Sequence, residues 1–321
     1  MNYMTARDRD EILANLKNAP ISVGQIDLNG LCNAKCWFCP VKYKDNPQEF
    51  ATQMTPDQLR QVFKNLRSST LFAQHVSFMY TSHYNEVLLH KNFEEMMDIF
   101  REYGFTTMIL SNGTPLTPSK IDYIVKNRDV ITGINLNIPA IEKQEWTIKA
   151  GMSESVHKTL MRNLHYLNDN YEGATIQINS LVIQGRAGPN AVYTDSQDCI
   201  RIEKEFRTLF PNIVINTNYY LSDRAGALVK EQVLIPMMSK ATDKVIGCTH
   251  STNPGGRLYS WVHINAKGEL FLCCDDYEMN YRYGSLLEKP FDELWTSNEH
   301  VDQILRSQNE ICRTCSAAIR G

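Results

Sequence analysis

Seven of the nine cysteines in this chain of 321 residues fall into spacings that can hold metal. Cys32, Cys36 and Cys39 form a C-x3-C-x2-C run, directly after a strand-like segment over 21–28 and the turn signal Asn29-Gly30. Three thiolates on so tight a loop hold three corners of an iron–sulfur cube, whereas a structural zinc or ferredoxin-type site wants a fourth ligand nearby. No further cysteine follows before Cys199. The iron at the open corner is then free to bind a substrate or cofactor directly; a zinc knuckle or incidental thiols are the plain alternative. The second group is Cys248, Cys273, Cys312 and Cys315. Four thiols converging on one site match the ligand count of zinc and of a fully ligated iron–sulfur cluster, and spacing alone does not separate the two. Cys274 is an adjacent alternative to Cys273, and Cys199, alone on a predicted helix, reads as a buried apolar thiol.

The elements that must position these thiols follow from hydrophobic periodicity. A short amphipathic helix is expected over 9–18 and the first strand over 21–28. Thr55-Pro56-Asp57 starts a helix with proline at its first position and Leu59, Val62, Phe63 and Leu66 on one face. Strands are then expected over 75–80, 106–110, 131–138, 175–183 and 213–218, alternating with helices over 93–103, 118–126, 154–167 and 196–209. Strands alternating with helices at this spacing build a parallel sheet from βαβ units. Six such units with a cofactor loop after the first strand fit an open partial barrel whose ligands lie at the C-terminal strand ends. A dinucleotide-binding sheet would show similar periodicity, but no G-x-G-x-x-G follows the first strand. The remainder reads as a hairpin, with strands over 258–264 and 269–273 around the turn Asn265-Ala266-Lys267-Gly268, followed by a helix over 291–308. The domain expectation is therefore an N-terminal extension over 1–20, a barrel over 21–230 and a cluster domain over 231–321.

A net charge of −3 argues against a nucleic-acid-binding face spread over the surface. Hydrophobic content of 43% with 21% charged residues is that of an ordinary globular enzyme. No apolar run reaches membrane-spanning length, and residues 1–20 are polar rather than signal-like, so a cytoplasmic protein without membrane partner is expected. Nine cysteines without an export signal point to metal or redox chemistry rather than to disulfides.

The C-x3-C-x2-C spacing, with aromatic Phe38 before the last cysteine, resembles the signature of the radical S-adenosylmethionine (radical SAM) superfamily. In that family the open iron chelates the methionine amino and carboxylate groups, and one electron cleaves the sulfonium to a 5′-deoxyadenosyl radical. The resemblance implies an α/β fold, a partial (β/α)6 TIM-like barrel. After the second strand, Tyr84-Asn85-Glu86-Val87 resembles the family's G-G-E-P segment, which binds the SAM amino group. Glu86 stands where the family has its glutamate, while Tyr84, Asn85 and Val87 depart from the glycines and the proline. A helix N-terminal acid is the plain reading of Glu86. After the third strand, Ser111-Asn112-Gly113-Thr114 resembles the family's turn beside the cofactor, although Asn-Gly alone is only a turn signal. Asn137 on the fourth strand, and more weakly Asn179 on the fifth, stand where the family carries a polar residue for the ribose hydroxyls; a structural hydrogen bond would satisfy them as well.

The C-terminal cysteines, with Gly268-x4-Cys273 and the run Tyr283-Gly284-Ser285-Leu286-Leu287, resemble the SPASM/twitch extension of the same enzymes. The fold expectation is completed by this small hairpin-plus-helix unit, which implies an auxiliary [4Fe–4S] cluster on Cys248, Cys273, Cys312 and Cys315. The implied cofactors are thus SAM and two [4Fe–4S] clusters, with a reductase such as flavodoxin or ferredoxin as partner. Asp223, Arg224, His83 and Tyr84 are the candidate substrate-side groups; Asp223 and Arg224 read equally as a solvated ion pair. The resemblance implies removal of a substrate hydrogen atom and two-electron oxidation of a small polar molecule of the sugar or cyclitol kind, the auxiliary cluster taking the electron. Radical modification of a ribosomally made peptide is the second reading, set lower because only 31 residues precede Cys32. The non-enzymatic reading is a zinc-stabilised binding protein.

Overall fold

The computed structural model describes residues 8–44, 51–72, 76–81, 83–170, 175–178, 196–217, 223–233, 244–248 and 257–320. Asn179, the 219–222 part of the loop after the sixth strand and the 234–243 linker lie outside them. Six parallel strands appear in the expected order: β1 (Val23–Ile26), β2 (Met79–Tyr80), β3 (Thr107–Ser111), β4 (Ile131–Leu136), β5 (Thr175–Ile178) and β6 (Val214–Thr217). β1 pairs with β2, and β3 to β6 pair in sequence order. A parallel bridge between Phe78 and Thr106 joins the two sets into one curved series. The fold is a partial TIM barrel.

The helices form where local chemistry starts and stops them. The helix Pro56–Arg67 opens with a reciprocal capping box between Thr55 and Gln58, as its proline and spacing predict, and buries Leu59, Val62, Phe63 and Leu66. Phe63 packs between Phe100 and Phe105, with ring centroids 4.8 and 4.5 Å away, which fastens the first two crossover helices to the sheet. The longest helix not foreseen is Lys143–Ala150, which Glu142 caps through Glu145 N–H and which Gly151 ends at φ 65°. That glycine has a second reason to be there. A Cβ at Gly151 would stand 2.6 Å from the Lys35 carbonyl oxygen, because the cysteine loop lies directly against this helix end.

The C-terminal part is not a separate appendage. Its strand β8 (Trp261–Ile264) pairs in parallel with β1, from Val23↔Trp261 to Ile26↔Ile264. Two further strands, numbered in chain order β9 (Glu269–Phe271) and β10 (Arg282–Ser285), extend that edge antiparallel. The expected strand over 258–264 is shorter: 257–260 form a helical turn, and extended pairing begins at Trp261, where β1 supplies a partner. The expected helix over 291–308 is two helices, Phe291–Trp295 and Asn298–Asn309, because Ser297 caps the second by accepting His300 N–H. The N-terminal helix Arg9–Asn18 packs on this region. It buries Ile12 and Leu16, and Trp295 Nε1–H donates to the Leu16 carbonyl at 2.9 Å. One apolar cluster runs through all three parts, from Ile12 through the barrel to Trp295 and Ile304. Among the described residues no helix is long and apolar enough to cross a membrane.

Candidate active site

Cys32, Cys36 and Cys39 project into one cleft at the C-terminal ends of the barrel strands, where parallel α/β folds gather their ligands. The loop is held from outside its own sequence. Lys35 N–H donates to the Ala150 carbonyl at 3.0 Å and Trp37 N–H to the Lys149 carbonyl at 2.9 Å, both on the helix that Gly151 ends. Trp37 and Phe38 are buried against Leu228 and Val233, so the segment after the sixth strand roofs the loop. Burial pushes the Cys36 thiol well up, a push its two neighbouring cysteines reinforce, and raises Cys39 to about 12. Such a site favours neutral thiols unless a cation is present, and a metal would hold them as thiolates.

The turn after β3 grips the same loop. Asn112 Nδ2–H donates to Asn33 Oδ1 at 2.9 Å, and Asn33 Nδ2–H donates to Thr114 Oγ1 at 2.9 Å. Ser111 Oγ accepts Gly113 N–H at 2.9 Å and shapes the turn. Asn33 was not singled out from the sequence, since a lone asparagine inside a cysteine loop carries no pattern.

Glu86 is 1% exposed. Its Oε1 accepts Leu88 N–H at 3.1 Å and its Oε2 accepts Asn112 N–H at 2.7 Å, so it caps a short helical turn and ties the second and third strand ends together. Burial pushes its pKa up to about 7, against the pull of those hydrogen bonds. Asn85 also lines the cleft but spends its side chain on the loop, donating Nδ2–H to the Asn29 carbonyl. On β4, Asn135 and, just past the strand, Asn137 face the cleft two residues apart, as strand alternation requires. Asn137 Oδ1 is buried and has no hydrogen-bond partner among the described residues. The Tyr84 hydroxyl in the same cleft is likewise buried and unpartnered. Orphaned polar atoms facing a cleft are costly and fit a bound polar ligand.

His83, Tyr84 and Arg224 also line the cleft. Arg224 adopts φ 54°, lies 5.7 Å from the Tyr84 ring centre and approaches Asp275 at 3.8 Å. The His83 ring donates Nε2–H to the Cys274 carbonyl, leaving Nδ1 3.8 Å from Asp27 Oδ2. Burial lowers His83 to about 3 and raises Asp27, so both favour their neutral forms. Asp223 does not line the cleft. Its Oδ1 accepts Ser316 N–H at 3.1 Å, tying the chain after the barrel to the residue next to Cys315.

Cys248, Cys273, Cys312 and Cys315 line one apolar cavity; Cys274 is not among the lining residues and its thiol meets Arg257, which is. Pairing of β7 (Val245–Cys248) with β11 (Ala318–Arg320) sets Cys248 opposite Ala318, three residues past Cys315. Neither strand was expected. Among the described residues no three His, Cys, Asp or Glu side chains are grouped as the ligands of one ion. A four-thiol set around an apolar cavity, rather than on a point, suits a cluster in which each thiolate binds its own iron.

Residues 26–185 match the Radical SAM superfamily model, and residues 256–316 match that of SPASM, an iron-sulfur cluster-binding domain. The chain belongs to the radical SAM superfamily. This radical SAM enzyme is 22% identical over 302 residues to the S-adenosyl-L-methionine-dependent 2-deoxy-scyllo-inosamine dehydrogenase of Niallia circulans, covering 92% of each chain. In fold it is similar to BtrN, crystallised with AdoMet and 2-DOIA, with a TM-score of 0.56 at 15% identity over 92% of this chain and 93% of that one. Streptococcus suis SuiB bound to its precursor peptide SuiA is similar too, with a TM-score of 0.60 at 12% identity, covering 96% and 72%.

Proposed function

We propose that this enzyme oxidises a small polar molecule, of the sugar or cyclitol kind, by two electrons. The observation that carries the reading is one step along the chain: Arg224 lines the three-cysteine cleft, and the next residue, Ala225, lines the four-cysteine cavity. A substrate held at Arg224 therefore stands between the two thiol sets. Similarity along nearly the whole of both chains to a dehydrogenase of an aminocyclitol supports the same reading.

Cys32, Cys36 and Cys39 are assigned to a [4Fe–4S] cluster, and Cys248, Cys273, Cys312 and Cys315 to an auxiliary one. With SAM bound, the first site supplies a 5′-deoxyadenosyl radical, the acceptor of a substrate hydrogen atom. The chain's own residues bind and orient. Glu86 offers a carboxylate to the SAM ammonium from beside Asn85, Ser111 and Asn112 hold the turn against the cofactor, Phe38 walls it, and the free Oδ1 of Asn137 accepts a ribose hydroxyl. Asn179, the weaker candidate for the ribose, lies outside the described residues. Tyr84 and Arg224 orient the substrate, with His83 behind them. Asp223 holds the C-terminal cysteine loop in place rather than meeting substrate. The electron entering the first site comes from a flavodoxin or ferredoxin of the cytoplasm.

The test is anaerobic reconstitution, with iron and sulfide counted per chain and 5′-deoxyadenosine measured after reduction. About eight irons with cleavage is the expected result. About four irons with cleavage would remove the auxiliary cluster, and zinc without cleavage would remove the proposal. An aminocyclitol panel then competes against candidate peptides; turnover of peptides alone would transfer the site to peptide modification.

A further inference from the structure

We propose that Arg257 is the counter-cation of the auxiliary cluster and holds its reduction potential up, so that the cluster can accept the substrate's electron. The inference rests on the two-cluster reading above.

Arg257 is 7% exposed and lines the cavity with the four cysteines. A buried guanidinium cannot shed its charge and is costly unless something anionic faces it. Among the described residues no carboxylate stands within ion-pair distance of it, and its Nε–H has no hydrogen-bond partner. The Asp275 carboxylate, which lines the same cavity, is approached instead by the half-buried Arg224 at 3.8 Å. What surrounds Arg257 is sulfur: Nη1–H contacts Cys274 Sγ, and the cavity beyond holds the ligand thiols. Its plane is kept in place by Trp261, whose ring centre lies 4.4 Å away on β8. The missing anion is supplied by four thiolates around a cluster, whose net charge is negative and becomes one unit more negative on reduction. A fixed positive charge at short range in an apolar cavity stabilises the reduced state more than the oxidised one, and so raises the potential. The electron arriving is the one a substrate radical gives up as it becomes a closed-shell product; the auxiliary cluster is the oxidant, and the hydroxyl proton of the substrate radical passes to solvent water.

The experiment uses the full chain with Cys32, Cys36 and Cys39 replaced by alanine, so that only the auxiliary site binds iron. Arg257→Gln and Arg257→Lys are made in that background, and each protein is titrated potentiometrically with electron paramagnetic resonance detection of the reduced cluster. With about four irons retained, R257Q is expected to shift the midpoint to a more negative potential and R257K to stay near the parent. A parent midpoint in R257Q, or an equal fall in both variants, would overturn the counter-charge role. If R257Q loses iron, iron retained in R257K at the parent midpoint supports the role, and loss from both overturns it in favour of a packing role. Absence of iron from the parent itself would instead sink the two-cluster reading, which the titration thereby tests separately.

Discussion

The two thiol sites are built on opposite plans. The first takes its three cysteines from eight consecutive residues, 32–39, and opens to a polar cleft in which Tyr84 and Asn137 carry groups unpartnered among the described residues. The second takes its four from a span reaching from Cys248 to Cys315 and encloses them in an apolar cavity beside one buried arginine. An open polar site can exchange ligands, whereas a closed apolar one with every thiol committed can only pass charge. On the function proposed above, the two sites would do different work on one substrate: the first would make and break bonds, and the second would move an electron.

The sharpest way to break the comparison is to remove each site in turn. Cys36→Ala should abolish SAM cleavage, while Cys312→Ala with Cys315→Ala should leave cleavage measurable and abolish oxidised product. Chromatography of 5′-deoxyadenosine and product in the same reaction reads both; loss of cleavage in the second variant would make the sites one unit. Next in size is the acid at the first site. Because burial raises Glu86 to about 7, its carboxylate is gained as pH rises through that value, so SAM should bind more tightly at pH 8 than at pH 6. Isothermal titration should show that rise flattened in Glu86→Gln. The sign for stability is opposite: a folded pKa raised above the unfolded one favours folding at low pH, and that contribution is lost as pH rises from about 4.5 to about 7.

Smaller effects probe how the first loop is held. Gly151→Ala puts a Cβ 2.6 Å from the Lys35 carbonyl at φ 65° and should cost about 1–3 kcal/mol, seen as a lower thermal midpoint and poorer iron loading of the first site alone. Asn33→Ala removes two side-chain hydrogen bonds to the turn after β3 and should cost about 1 kcal/mol. Its expected signature is weaker SAM binding with auxiliary-cluster iron unchanged, measured by titration and by iron counts in the Cys-to-Ala backgrounds.

The alternation of six strands with helices, the cysteine loop after the first strand and the acid and turn at the next two strand ends were all legible in the sequence. They depend on local spacing: a motif of eight residues, a cap, a period of two or near four. The ordered series also carried the family resemblance, because each strand end brings its motif to the same rim. What only the tertiary structure decided lies in contacts between distant residues. The parallel pairing of β8 with β1 joins residues 238 apart in the chain, as the Gln25–His263 hydrogen bond across it shows, and turns the C-terminal unit into part of the barrel edge. The same holds for Asp223 turning to Ser316, for Gly151 yielding room to Lys35, and for Arg257 facing the thiols. No pattern in residue type announces these, because burial, charge balance and close approach arise only when separate segments are packed together.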